Sequence, residues 1–202
     1  MITFSILENI RKKNGTVAVA LIDPDIKNDE SLSNMVNSIN KSKFDVIFVG
    51  GSLISDNLFE NRINFIKNHT NLPIIIFPGS SNQISIHANA ILFLSLISGR
   101  NPQYLIGEHV KSAPIIKNIN LEVIPTAYML LDGGSKSSVE IISNTSPLPM
   151  NKKDIILAHA LAGQYLGNKL LFLESGSGAK NHATLDIVNL LSENLEIPVI
   201  VG

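Results

Sequence analysis

The chain has 202 residues, of which 45% are hydrophobic and 16% charged, with a formal net charge of −1 and no cysteine. That balance excludes disulfides and thiolate metal sites, and gives no electrostatic case for nucleic acid as a partner. It suits one α/β domain with a sizeable core. No apolar stretch approaches the roughly 20 residues of a membrane span. Met1 to Gly15 has no basic segment followed by an apolar one, so a signal peptide is not expected and a cytoplasmic protein is.

The chain opens with apolar positions Ile2, Ile6, Leu7 and Ile10, followed by Arg11-Lys12-Lys13 and Gly15. This predicts a short amphipathic helix with cations at its C-terminal end. Seven apolar, β-branched runs follow: Val17–Ile22, Val46–Val49, Pro73–Phe77, Ile91–Leu96, Val123–Thr126, Leu170–Leu173 and Pro198–Val201. They are uniformly hydrophobic rather than alternating, which is the pattern of parallel strands buried on both faces. Most of the run starts lie near one strand-loop-helix unit apart, about 28 residues, so a (β/α)8 TIM barrel is expected rather than an open sheet.

Two intervals break this rhythm. Between the third and fourth runs there is room for little beyond Ser80-Ser81-Asn82-Gln83-Ile84-Ser85, so the third helix is expected to be missing or very short. The interval after the fifth run is long, and Asp132-Gly133-Gly134 through Pro149 reads as a polar loop beside the strand ends, where long loops shape substrate sites. Elsewhere the helix signals are ordinary. Asp29, Ser31 or Ser33 caps a helix whose buried stripe is Leu32, Met35, Val36 and Ile39. Asn101-Pro102 opens another, with Pro at its first position. Lys152-Lys153-Asp154 through Leu166-Gly167 is a third, ending on Gly; His159 within it reads as a packing or interface residue. A closed barrel needs eight strands and Gly202 stands at the tip of the seventh, so residues 1–202 are expected to form a single, C-terminally incomplete barrel domain.

The strand ends carry the chemistry. Glu174 closes the sixth run and is followed by Ser175-Gly176-Ser177-Gly178. A carboxylate beside a small-residue loop is a base next to an anion cradle, since glycines let backbone N–H groups approach a phosphate. The alternative is a strand followed by a flexible turn. Asp23 ends the first run within Ile22-Asp23-Pro24-Asp25, and Ser52 follows the second within Val49-Gly50-Gly51-Ser52. A carboxylate and a hydroxyl on adjacent strand ends suit Mg²⁺, which prefers hard oxygen ligands and keeps waters and substrate phosphates as the rest. The alternative reading of Asp23-Pro24-Asp25 is a Pro-stabilised turn. Arg100, beside Gly99, is either a phosphate clamp or a loop cation in a salt bridge.

Taken in order, these pieces resemble the geranylgeranylglyceryl phosphate synthase family. The matching segments are Leu21-Ile22-Asp23-Pro24-Asp25, Val49-Gly50-Gly51-Ser52, Phe77-Pro78-Gly79-Ser80, Ser98-Gly99-Arg100-Asn101-Pro102, Ile124-Pro125-Thr126-Ala127-Tyr128 and Leu173-Glu174-Ser175-Gly176-Ser177-Gly178-Ala179. Asp132-Gly133-Gly134, Ser143-Asn144-Thr145-Ser146-Pro147-Leu148-Pro149 and the helix from Ala158 to Gly167 resemble the second subgroup, which has bacterial members. The resemblance implies a barrel lacking its third helix. It also implies transfer of the prenyl group of geranylgeranyl diphosphate to the 3-hydroxyl of sn-glycerol 1-phosphate. Mg²⁺ would be held by Asp23 and Ser52, and the glycerol phosphate by Phe172, Leu173, Glu174, Ser175, Gly176, Ser177 and Gly178, with Glu174 as the catalytic base. The family usually has Tyr at the position of Phe172. A homo-oligomer with peripheral membrane contact is implied as well.

Two other readings stand beside this one. A heptaprenylglyceryl phosphate synthase would use a longer donor. Tyr104, where the family places an aromatic that limits donor length, bears on that choice and is otherwise a ring packing a helix start. A truncated, inactive barrel with an interaction role is the reading outside the enzyme class.

Overall fold

The computed structural model describes residues 3–202, so Ile2 of the predicted first helix lies outside the described residues. The chain divides into two compact units: one runs to Leu92 and takes in Lys111–Val123, the other comprises Phe93–Val110 and Ile124–Gly202. Seven strands are hydrogen-bonded in chain order, from β1 to β7.

The first unit holds α1 (Thr3–Asn14), β1 (Val19–Ile22), α2 (Asp29–Lys41), β2 (Val46–Val49), α3 (Phe59–Asn68), β3 (Ile74–Ile76), the start of β4 (Ala90–Leu96) and most of α4 (Glu108–Asn118). The ladders β1–β2, β2–β3 and β3–β4 are all parallel. β2 is buried at every residue, as its unbroken apolar run predicts. Leu32, Val36 and Ile39 supply the buried stripe of α2, and Met35 of the expected stripe is half-buried beside them. Residues 77–89 pass through turns and bends with no helix. The first backbone N–H groups of α1, at Thr3 and Phe4, donate to the Glu122 carboxylate at 2.5 and 2.9 Å, so a distant side chain caps this helix.

The second unit contains the rest of β4, β5 from Ile124 (the strand is Glu122–Leu130), α5 (Ser138–Ser143), α6 (Lys153–Tyr165), β6 (Leu170–Glu174), α7 (Leu185–Asn194) and β7 (Val199–Val201). The β5–β6 and β6–β7 ladders are parallel. Ala127, Met129 and Leu131 alternate along the β5 segment with Leu171 and Leu173 along β6, and pack with Ile156, Ala160, Ile187 and Leu191 of α6 and α7. Because successive side chains point to opposite faces, Tyr128, Phe172 and Glu174 lie on the other face of the sheet.

Three sequence expectations are revised. β5 continues four residues past Thr126, because Ala127 to Leu130 are as apolar as the run before them and are buried. The segment after it is not purely a loop. It holds α5, capped by Ser137 Oγ accepting from Glu140 N at 3.1 Å, and then returns to a bridge between Leu131 and Leu148. The helix at Asn101-Pro102 starts with a π turn, Gln103–Gly107, whose first N–H donates to Asn101 Oδ1 at 3.0 Å.

Candidate functional site

In the first unit the loops after β1, β2 and β3 meet backbone to backbone. A Cβ on Gly50 would fall 1.8 Å from the Phe77 carbonyl oxygen, and one on Gly79 would fall 2.2 Å from the Gly51 oxygen and 2.9 Å from Ser52 Cα. A Cβ on Gly51 would lie 2.7 Å from Asp23 Oδ1. Only glycine leaves room for these approaches. Gln83, 2% exposed, fills the junction, accepting from Gly51 N and Gly79 N and donating to Gly51 O.

Asp23 is set against this cluster. Its Oδ2 pairs with Lys27 Nζ at 2.7 Å, while Oδ1 is buried and meets no hydrogen-bond donor among the described residues. The bond to Asp23 raises the pKa of the Lys27 ammonium. An orphaned carboxylate oxygen against the Gly51-Ser52 backbone fits a small oxygen-seeking cation. Both oxygens of Asp25, by contrast, are engaged. Its Oδ2 accepts from Ser55 N at 2.8 Å and its Oδ1 from Lys27 N at 3.3 Å, so it ties the loops after β1 and β2 together. Those hydrogen bonds, Ser55's foremost, hold its carboxyl below the usual range.

Beneath these loops lies Arg62 of α3, 4% exposed. Its guanidinium reaches Asp29 through Nε and Nη2 at 2.5 and 2.8 Å, Asp56 through Nη1 and Nη2 at 2.7 Å each, and the Pro24 carbonyl at 3.0 Å. One planar fork therefore binds two carboxylates and a loop carbonyl, a geometry lysine cannot reproduce. The same bonds hold Asp56 down at about 2 and depress Asp29 as well.

The second unit holds the Glu174 loop. Gly176 N donates to Glu174 Oε1 at 2.6 Å, and Gly176 takes a φ of +96°, which favours glycine. A Cβ there would also strike Ser137 Cβ at 2.4 Å. Tyr128 faces Phe172 in the β5–β6 register, with ring centroids 5.6 Å apart, and its phenol hydrogen-bonds Glu174. Burial first, then the Glu174 charge and that bond, push the phenol well above its ordinary pKa. Ser175 is buried, and its Oγ has no hydrogen-bond partner among the described residues, whereas Ser177 and Gly178 are exposed. Leu173 points into the helix-packed core and so offers a ligand only its backbone. Arg100 is held by the Ile97 and Gly99 carbonyls at 3.3 and 2.7 Å and lies 3.2 Å from His159 Nε2.

A sequence model of the PcrB family matches residues 8–202. The chain belongs to this family. It is 49% identical over 192 residues to a geranylgeranylglyceryl phosphate synthase of Flavobacterium johnsoniae, covering 95% of this chain and 79% of that protein. A synthase of the same name from Chitinophaga pinensis is 43% identical over 193 residues, covering 95% and 77%. Among solved structures, (S)-3-O-geranylgeranylglyceryl phosphate synthase from Thermoplasma acidophilum, in complex with its substrate sn-glycerol-1-phosphate, superposes with a TM-score of 0.92 at 35% identity. That match covers all of this chain and 81% of the other. The resemblance read from the sequence motifs is thus the family shown by comparison, with bacterial relatives among those most similar.

Each unit gathers part of the residue set read from the sequence. Asp23 approaches Gly51, the residue before Ser52, in the first, and Phe172, Glu174 and Ser175 to Gly178 follow one another at the end of β6 in the second. Sequence reading gave no role to Gln83, Arg62, Lys27 or Tyr128. Tyr128 had a usable signal, since extending the fifth run by four apolar residues puts it opposite Phe172.

Proposed function

We propose that this chain is a prenyltransferase that joins geranylgeranyl diphosphate to the 3-hydroxyl of sn-glycerol 1-phosphate, releasing diphosphate. The observation that carries the reading is the close superposition on a synthase solved with sn-glycerol-1-phosphate, combined with the Glu174 loop in this chain. The hydroxyl oxygen forms the new ether bond to the allylic carbon as the carbon–oxygen bond to diphosphate breaks. The hydroxyl proton passes to Glu174, whose Oε1 is oriented by the Gly176 N–H and whose carboxylate is further held by the Tyr128 phenol. The backbone of Ser175 to Gly178 and the unpartnered Ser175 hydroxyl supply donors for the acceptor's phosphate.

Asp23, with its free Oδ1, and Ser52 would hold Mg²⁺. Bound there, the ion would offset the charge of the departing diphosphate. Lys27, already paired with Asp23 and largely exposed, adds a cation at the same strand end. The same reading makes the seven sequential strands and the helix-free residues 77–89 part of a (β/α)8 barrel without its third helix. A cytoplasmic enzyme that self-associates and touches membranes only peripherally belongs to it as well; no described helix is long and apolar enough to cross a membrane.

The test is incubation of the purified protein with radiolabelled sn-glycerol 1-phosphate, geranylgeranyl diphosphate and Mg²⁺. Label moving into an organic-extractable prenyl ether supports the proposal. No transfer, with sn-glycerol 3-phosphate equally inert, would overturn it.

A further inference from the structure

Gln83 sits in the helix-free segment between β3 and β4, and it is almost wholly buried. Its amide meets two loops at once. Oε1 accepts from Gly51 N at 3.3 Å and from Gly79 N at 3.2 Å, while Nε2 donates to Gly51 O at 2.7 Å. The side chain therefore pairs with Gly51 on both its N–H and its C=O, much as a neighbouring strand would, at the point where the β2 ladder has ended. The residues it fixes are the ones that matter: Gly51 is pressed against Asp23 Oδ1, and Ser52 Cα lies where a Cβ on Gly79 would come within 2.9 Å. No Cβ intervenes at Gly50, Gly51 or Gly79, so the spacing of these backbones rests on the amide and on direct contact.

We propose that Gln83 is a positioning residue for the divalent-cation site: its carboxamide locks the Gly51-Ser52 backbone onto the Asp23 carboxylate. This rests on the reading of Asp23 and Ser52 as the cation ligands. It differs from an ordinary packing role because all three of its bonds to those loops end on Gly51 or Gly79. Partners one shell out from a metal typically change its affinity by about ten- to a hundredfold.

The experiment measures Mn²⁺ binding by the electron paramagnetic resonance signal of free Mn²⁺, with circular-dichroism melting alongside. Gln83→Met, close in volume but without the amide, is expected to raise the Mn²⁺ dissociation constant by about tenfold or more. Its KM for sn-glycerol 1-phosphate should stay within about twofold, the acceptor loop being in the other unit. A folded Gln83→Met that binds Mn²⁺ within about threefold of the parent chain overturns the proposal and leaves Gln83 a structural residue. If Gln83→Met does not fold, Gln83→Asn decides by the same criterion, since it keeps the amide but is one methylene too short to span both loops. Asp23→Asn separates the two readings. If it leaves Mn²⁺ binding unchanged, the ligand assignment itself fails. If it abolishes binding while the Gln83 variants bind normally, only the positioning role falls.

Discussion

Lys27 Nζ lies 2.7 Å from Asp23 Oδ2, while Oδ1 of the same carboxylate stays buried without a donor. One oxygen is thus neutralised by the protein and the other is held in reserve. Asp23→Asn should shift the Mg²⁺ midpoint of turnover upward by about tenfold or more, because an amide oxygen binds a hard cation far more weakly than a carboxylate. Magnesium titration of initial rates checks this. An unchanged midpoint would show that the site lies elsewhere, and the engagement of Asp25 by Ser55 argues against that neighbour as the substitute.

Glu174→Gln should lower turnover by about a hundredfold or more, the range expected for loss of a general base. The amide oxygen can still accept from Gly176 N, so the loop and the melting temperature should change little. Steady-state kinetics with both substrates saturating is the measurement. Activity within threefold of the parent chain would remove Glu174 as the base.

The Arg62 cluster predicts an acid-labile first unit. Asp56, with a folded-state pKa of about 2 against an ordinary 3.8, contributes stability above its ordinary value, and that contribution is lost as pH falls through the folded value. Asp29 is depressed in the same direction. The melting temperature should therefore drop between about pH 4 and pH 2. Arg62→Leu should lower it by roughly 5–10 °C at neutral pH and flatten the acid drop. An acid profile as steep in the variant as in the parent would place the acid sensitivity elsewhere.

Tyr104 stands in the π turn before α4, and its hydroxyl donates to the Ile142 carbonyl at 3.3 Å. Tyr104→Ala should let the enzyme accept a heptaprenyl donor while geranylgeranyl turnover survives, since the groups at Asp23, Ser52 and Glu174 are untouched. Chromatography of products, with each diphosphate offered separately, reads the outcome. A variant still inactive on the longer donor makes Tyr104 a packing residue, and a parent chain that already prefers it makes the heptaprenyl reading correct.

The parallel strands and their order of appearance were determined by the sequence alone. Uniform apolar runs such as Val46 to Val49 can be buried on both faces only in a sheet covered on both sides, and that constraint is local. Gly176 and Gly178, just past the sixth run, likewise marked a loop that backbone or ligand can approach closely, whereas the tight contacts at Gly50, Gly51 and Gly79 emerged only in the fold. Tertiary structure alone decided which polar side chains hold those loops. Gln83 reaches Gly51 across 32 residues, Arg62 reaches Asp29 across 33, and Glu122 caps a helix 118 residues away. No periodicity records such pairs, because a side-chain hydrogen bond depends on where two backbones meet in space. A glutamine, arginine or glutamate in the sequence carries the same label whether it faces water or satisfies a buried loop.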